Sequence, residues 1–365
     1  RSLFEEDNKI TKQELTNAII SYMLNRGGLK LEELRDAAHV YVYWSGEPLK
    51  FTDSANRQVT LYKPAKRVVP YPITLYEPIW ILGAQNKVVG VRDEAIRLDY
   101  PWLPGIQEKE NIGDMTNINW EKIVELDPDV MIVASRRGAA EAEEKLSRFN
   151  ITIVALRFME SEKFKDEFRI LSKILGNDKK AEEFISWWEE KSNILNRAIG
   201  IEQKVRVFAE YTDLEYSTGG EGSGIHSTIN MAGGYNIALD ANVGYYGEVD
   251  PEWLMNQTID VILLVAWLGE TGYSIQNEQG LNTLIQEKSA RTAVENSSAV
   301  RNGKVYVIDG PAVLTSVRNN ILALYCAKWF YPGLFNDLNP DEIHREYFER
   351  WIGVQYRGIW AYPLV

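Results

Sequence analysis

The sequence has 365 residues, 45% hydrophobic and 25% charged, enough chain for two or three domains with their own cores. A formal net charge of −12 without a basic cluster argues against nucleic acid as a partner. No apolar run reaches the roughly 20 residues that cross a bilayer, and the single cysteine, Cys326, excludes an internal disulfide and reads as an inert buried thiol.

Opening on Arg1, the chain reads as a processed product or a fragment. Residues 1–62 form a small α+β appendage. Leu3–Glu14 has the rhythm of a degenerate EF-hand or dockerin-like loop. Glu5, Asp7 and Glu14 fall at loop positions three, five and twelve, a candidate Ca²⁺ set, with Ile10 at the apolar eighth position. Leu3 stands at the first ligand position, however, and Asn8 replaces the glycine of the turn. Thr11 with Glu14 three residues on equally spells a capping box that opens a helix over Lys12–Leu24. Gly27 and Gly28 end that helix, and a second starts at Leu31. Val40–Trp44 and Gln58–Tyr62 alternate as the strands of a hairpin around the polar turn Asp53–Asn56.

Residues 63–160 carry the first α/β pattern. In KRVVPYPITLYEPIWILGAQNKVVGV a short strand at Val68–Val69 enters a turn at Tyr71-Pro72-Ile73, a helix follows, Gly83 stops it, and Val88–Val91 gives a second strand. Such a turn lies at the carboxyl end of a strand, where open α/β sheets hold ligands. The loop 92–106 then presents Arg92, Tyr100 and Trp102. NINWEKIVELDPDVMIV supplies a helix, a break and a buried strand, which exits into Ser135-Arg136-Arg137, a pair of arginines placed to bind an anion. Residues 151–156 are another strand.

Residues 161–200 read as helical, broken at Gly176. The run from Lys179 to Ala198 has no glycine or proline and is long enough to act as a stiff link, with Phe184, Trp187 and Trp188 packing it down. A second α/β pattern occupies residues 201–335. Val205–Tyr211 is a strand, followed by STGGEGSG, whose glycines fit neither a P-loop nor a dinucleotide fingerprint and leave open a close backbone approach to a ligand. His226 opens the next helix, Ile259–Ala266 is a strand ending at Trp267, and Lys304–Ile308 another. PEWLMNQTIDVILLVA echoes the earlier WEKIVELDPDVMIVA, so the chain reads as two similar α/β lobes joined by a helix. Residues 336–365 form an aromatic C-terminal helix and tail.

The stretches quoted above, with NIGDMTNINWEKIVELDPDVMIV, MAGGYNIALD, NQTIDVILLV and AVRNGKVYVIDG in that order over about 65–350, resemble the substrate-binding proteins of ABC importers that handle iron–siderophore, haem and cobalamin, the class III, helical-backbone periplasmic binding proteins. The resemblance implies binding rather than catalysis, two α/β lobes bridged by one long helix, and a metal chelate held in the cleft between lobes. It implies a partner too, an ABC permease dimer, with the binding protein a monomer outside the cytoplasmic membrane and no cofactor required. Carried over residue by residue, the ligand loops present Tyr71, Pro72, Ile73, Arg92, Trp102, Arg136 and Arg137, then Tyr211, His226, Trp267, Tyr273 and Arg318. Arginines suit carboxylate or catecholate oxygens and aromatic faces suit a flat chelate. Glu121 and Glu252 match the family's permease-docking glutamates, one on each lobe. Tyr71-Pro72 stands where relatives often have Ser-Pro. Two other readings stay open, a chelate-processing enzyme on a related scaffold and a Ca²⁺-dependent surface module. Against the enzyme, His39, His226 and His344 are scattered without metal-ligand spacing.

Overall fold

Apolar runs of four to six residues, bounded by Pro, Gly or Asp, become parallel strands, and helices with one apolar face cover them. The computed structural model describes residues 9–26, 28–97, 100–267 and 269–364. They divide into two compact units: one takes the residues up to Arg97, Gly105–Arg157 and Asp166–Ala181, and the other the segment ending at Pro104, Phe158–Lys165 and the residues from Glu182 onward.

In the first unit, β1 (Leu49–Thr52) and β2 (Gln58–Leu61) form an antiparallel hairpin. Then come β3 (Val68–Pro70), a short parallel pair β4 (Gly90–Val91) and β5 (Glu110–Asn111), β6 (Val130–Val133) and β7 (Thr152–Ala155). β3, β6 and β7 make a parallel sheet in that order. Val69, Met131, Val133 and Ile153 pack with Ile123 and Leu146 of the covering helices. The second unit holds β8 (Arg206–Tyr211), β9 (Ser217–Thr218), β10 (Tyr235–Asn236), β11 (Gly247–Glu248), β12 (Val261–Ala266), β13 (Val305–Asp309) and β14 (Ala361–Tyr362). Its main sheet runs β10-β8-β12-β13-β14, parallel except for β14, so the C-terminal tail completes the sheet edge. Phe208, Ile262, Leu264 and Val307 form its core with Leu254 and Leu281.

The sequence echo is a repeat of structure, present in each unit separately. Before β6, Asp129 accepts the backbone N–H groups of Lys66 (2.8 Å) and Arg67 (2.9 Å), and the Arg67 guanidinium donates to the carbonyl of Leu126 (3.1 Å) at the end of the helix Trp120–Glu125. Before β12, Asp260 accepts the backbone N–H of Arg206 (3.0 Å), whose guanidinium donates to the carbonyl of Thr258 (3.1 Å), just past the helix Pro251–Met255. An arginine and an aspartate thus tie the first two strands together at their amino ends. The helix stops correspond as well. Gly83 (φ +69°) and Gly233 (φ +79°) each take the left-handed position after a helix, and the next amide, Ala84 or Gly234, reaches back to Ile79 O (3.0 Å) or Ile229 O (2.9 Å). This is the Schellman closure that glycine makes without strain.

The N-terminal helices Lys12–Met23 and Leu31–Trp44 pack through Leu15, Ala18, Leu34, Ala37 and Val40. Val40–Trp44 is therefore helix, not strand as its alternation predicts. Burial of Leu34, Ala37 and Val40 at helical spacing overrides the β-branched and aromatic composition of the segment. The hairpin instead pairs Leu49–Thr52 with Gln58–Leu61, around the expected Asp53–Asn56 turn. That turn caps the free edge of β7: Ser54 N donates to Ala155 O (2.9 Å), Ala155 N to Asp53 (3.0 Å) and Arg57 to Ile153 O (2.9 Å).

The helical stretch comprises Phe164–Leu175 and Asp178–Ile194, broken at Gly176 (φ +74°), and the division between units falls within the second helix, after Ala181. Phe184, Trp187 and Trp188 are buried in the second unit, Phe184 at 5.0 Å from the Trp351 ring and Trp188 at 4.8 Å from Phe164. Cys326 is fully buried, and burial pushes its thiol far above the ordinary range, so it stays protonated and unreactive.

Candidate ligand-binding site

In the first unit the expected residues sort into two groups at the carboxyl ends of β3 and β6. Tyr71 continues β3, its N–H bonded to Ile132 O (2.9 Å) and its hydroxyl to Asp114 O (2.8 Å). The Arg92 guanidinium lies 5.4 Å from the Tyr71 ring centroid, so these two are brought together. Arg92 is buried, however, and forked onto Glu94, with Nε to Oε2 at 2.9 Å and Nη2 on the other oxygen. Burial raises the Glu94 carboxyl, but the Arg92 hydrogen bonds outweigh it and hold the group below its usual range. Pro72 is buried ahead of the tight turn Ile73–Leu75, and Ile73 is half-buried.

Arg136 and Arg137 differ from Arg92. Both are exposed in the first turn of the helix Arg136–Leu146, whose cap is Ser135 accepting from Gly138 N (3.1 Å). Neither has an ion pair among the described residues. Two cations at a helix N-terminus oppose the helix dipole, so helix stability does not explain them. Together with the N-terminal amides they offer an anion two charges at the strand exit.

In the second unit β8 ends at Tyr211 and β12 leads into Trp267, neighbouring strand ends whose rings stack 5.9 Å apart at 14°. Tyr246 packs on Tyr211 at 5.7 Å, and its own side chain is 53% exposed. Burial pushes the Tyr211 hydroxyl up, keeping it neutral. Trp267 is half-buried, and its indole Nε1 is a buried polar atom without a hydrogen-bond partner among the described residues. Glu270 fixes the loop by accepting from Trp267 N (3.0 Å) and Thr212 Oγ1 (2.5 Å). Glu270 also lines an open cavity of about 520 Å³ with Ser274, Gln276, Asn277 and Leu281. His226 is half-buried behind its Ser223 cap (3.1 Å); burial lowers its pKa, and Nδ1 has no partner among the described residues. Tyr246 and Glu270 were not anticipated. The signal for Tyr246 was the Gly-flanked tyrosine pair Tyr245-Tyr246, but no local pattern placed it beside β8.

Trp102, Tyr273 and Arg318 belong to the interior of the second unit. Trp102 is 2% exposed against Trp360 (5.4 Å), and the Tyr273 hydroxyl donates to Gln355 O (2.9 Å). Arg318 is 1% exposed, 3.7 Å from Asp309 and 4.6 Å from the Trp360 ring centroid. The glycines of the 217–224 loop approach the chain itself rather than open space. A Cβ on Gly220 would stand 2.0 Å from Val243 O, and one on Gly224 2.2 Å from Val313 O. Glu5 and Asp7 lie outside the described residues. Glu14 accepts from Thr11 N (2.8 Å) and Thr11 Oγ1 (2.7 Å), completing the capping box. Glu121 and Glu252 are both exposed in the first turns of the two equivalent helices, and neither has an ion pair among the described residues.

Residues 81–312 match the family model described as periplasmic binding protein. The chain belongs to this periplasmic binding protein family. It is 24% identical over 306 residues to an uncharacterized ABC transporter substrate-binding lipoprotein of Bacillus subtilis, a match covering 80% of this chain and 88% of the relative. A cobalamin-binding protein of Halobacterium salinarum is 25% identical over 263 residues, covering 71% of this chain and 66% of that protein. The fold is also that of the Haemophilus influenzae molybdate-binding protein solved with molybdate, at TM-score 0.69 and 19% identity over 85% of this chain and 99% of that one. This periplasmic binding protein is the substrate-binding component of an ABC transporter. It works outside the cytoplasmic membrane and is not an enzyme. No helix among the described residues is long and apolar enough to cross a membrane.

Proposed function

We propose that this protein captures a metal chelate, a ferric siderophore, haem or a cobalamin, and delivers it to an ABC permease. The observation that carries the reading is the aromatic wall Tyr246–Tyr211–Trp267 at the carboxyl ends of β8 and β12. A flat apolar ring system stacks on such a surface. The amide and hydroxyl side chains around the neighbouring cavity suit a ligand with a polar periphery. Within the first unit, the exposed Arg136 and Arg137 suit carboxylate or catecholate oxygens. The name of the Halobacterium salinarum relative favours a cobalamin among the three.

Tryptophan-fluorescence titration with cobalamin, haem and several ferric siderophores tests this, with molybdate as the oxyanion comparison. One chelate binds at micromolar affinity or better, and Trp267→Ala weakens it by about tenfold or more, the scale of one aromatic contact. Binding of molybdate alone, lost in Arg136→Ala but not in Trp267→Ala, would replace the chelate reading with an oxyanion one.

Delivery is assigned to Glu121 and Glu252. They are solvent-facing carboxylates at the same place in two equivalent helices, and paired basic groups on a permease dimer would complement them.

A further inference from the structure

The N-terminal helix pair has one apolar face packed and a second that is exposed among the described residues. Ile10 N donates to Gly46 O (2.8 Å), which sets the start of the first helix beside the end of the second, so the two run antiparallel. Leu15 and Ala18 meet Leu34, Ala37 and Val40 in the shared core. About 100° round each helix, in the same rotational sense, lies a second stripe. On the first helix are Ile19 (40% exposed) and Met23 (78%), with Ile20 (49%) further round and Leu24 (53%) just past its end; on the second are Leu31 (53%) and Val42 (70%). In an antiparallel pair the same rotational step leads to the same side, so the stripes share one face. Large apolar side chains gathered on one exposed face point to an occupant.

The charges on this face choose the occupant. Lys12 and Arg35 lie on the stripes, and Arg26 and Lys30 on the connecting turn; none of the four has an ion pair among the described residues. The acids are turned to other work. Glu14 and Glu33 close the two N-terminal caps, each accepting from a backbone N–H, at 2.8 and 2.9 Å. Glu32 and Asp36 follow further round the second helix. Residues 9–44 hold five basic and four acidic side chains, in a chain whose net charge is −12. Apolar side chains ringed by unpaired basic ones are the composition of a helix that lies in a lipid interface, with lysine and arginine stems reaching back to anionic headgroups. A second copy of the same face would set cation against cation.

We propose that the open face of the helix pair Lys12–Met23 and Leu31–Trp44 binds the surface of an anionic lipid membrane, peripherally and without crossing it. The test is flotation of the whole protein with vesicles of phosphatidylcholine alone and of phosphatidylglycerol mixed equally with phosphatidylcholine. The expected result is binding to the anionic vesicles at least about tenfold tighter than to the neutral ones, weakening as salt is raised. Met23→Glu and Arg35→Glu each reduce it about tenfold with unchanged far-UV circular dichroism, since both side chains lie on the solvent-facing side. Absence of binding to anionic vesicles, or binding indifferent to both substitutions, overturns the proposal. So does a dimer in light scattering that Met23→Glu dissociates, because the face would then belong to a second copy.

Discussion

Glu210 sits at 0% exposure in β8, with Arg291 forked onto both its oxygens, Lys288 at 3.4 Å and the Tyr216 amide donating at 2.8 Å. Removing the carboxylate leaves two largely buried cations without their counter-charge. Glu210→Ala is therefore expected to destabilise the fold by about 3–5 kcal/mol. Urea unfolding checks this, and the Glu210→Ala, Arg291→Ala double variant should lose less than the sum of the singles. Arg318 shows why such a role is hard to read from sequence. Its position before a packed helix at a strand exit matched a ligand arginine, but its partners are Asp309, nine residues back, and rings at Trp102 and Trp360 from distant parts of the chain. Arg136 and Arg137 matched the same pattern and are exposed. Local sequence contains the strand exit and the residue type. It does not contain the burial, which distant segments create.

Element-scale behaviour follows from close backbone approaches and capped edges. Gly220 has Val243 O only 2.0 Å from where a Cβ would stand, whereas Gly244 has nothing within 4 Å and ordinary φ. Gly220→Ala should cost about 1–3 kcal/mol, with Gly244→Ala within about 0.5 kcal/mol of the parent, both measured by thermal unfolding without ligand. Equal effects would mean that the chain around Val243 gives way to the added Cβ at little cost. The hairpin turn makes a second prediction. Burial raises the Asp53 carboxyl, yet hydrogen bonds from Arg57 and Ala155 N outweigh it, so its folded pKa lies below the ordinary value. A depressed folded pKa gives stability that is present above the unfolded pKa, about 3.9, and lost as pH falls through the folded one. Asp53→Asn should thus be less stable than the parent at pH 7, and the gap should narrow below about pH 4 in urea midpoints measured across that range. The turn at Asp53–Asn56 was legible because polar residues between alternating segments announce it. The strand before it was misplaced because Val40–Trp44 has strand composition, and only packing against the first helix makes it helical.

At the scale of the molecule, the main parallel strands of both units were readable along the chain because buried parallel strands appear as short unbroken apolar runs, and because the chain says the same thing twice; their order in the sheets, and the edge strand Ala361–Tyr362, were not. Glu121 and Glu252 illustrate what the repetition is worth. Each is exposed at the same point of an equivalent helix, so reversing either should disturb a partner rather than the fold. On the docking role proposed above, Glu121→Lys and Glu252→Lys are expected each to slow docking to the permease about tenfold, and together to abolish it, while ligand titrations stay unchanged. Stimulation of permease ATPase activity in reconstituted vesicles measures the first, fluorescence the second. Loss of ligand binding in either variant would assign the glutamate to the ligand instead.

The Arg67–Asp129 and Arg206–Asp260 ties hold the strands at their amino ends, while Trp267 and Arg136 stand beyond the carboxyl ends. A change in those outer loops touches no residue on which the registry of the strands depends. Cargo preference can consequently drift across generations without the lineage crossing an unfolded intermediate. Relatives with little identity and different cargo are the expected descendants of such a scaffold. For an engineer, exchanging the segments after β8 and β12 between two relatives should yield folded hybrids whose selectivity follows the donor.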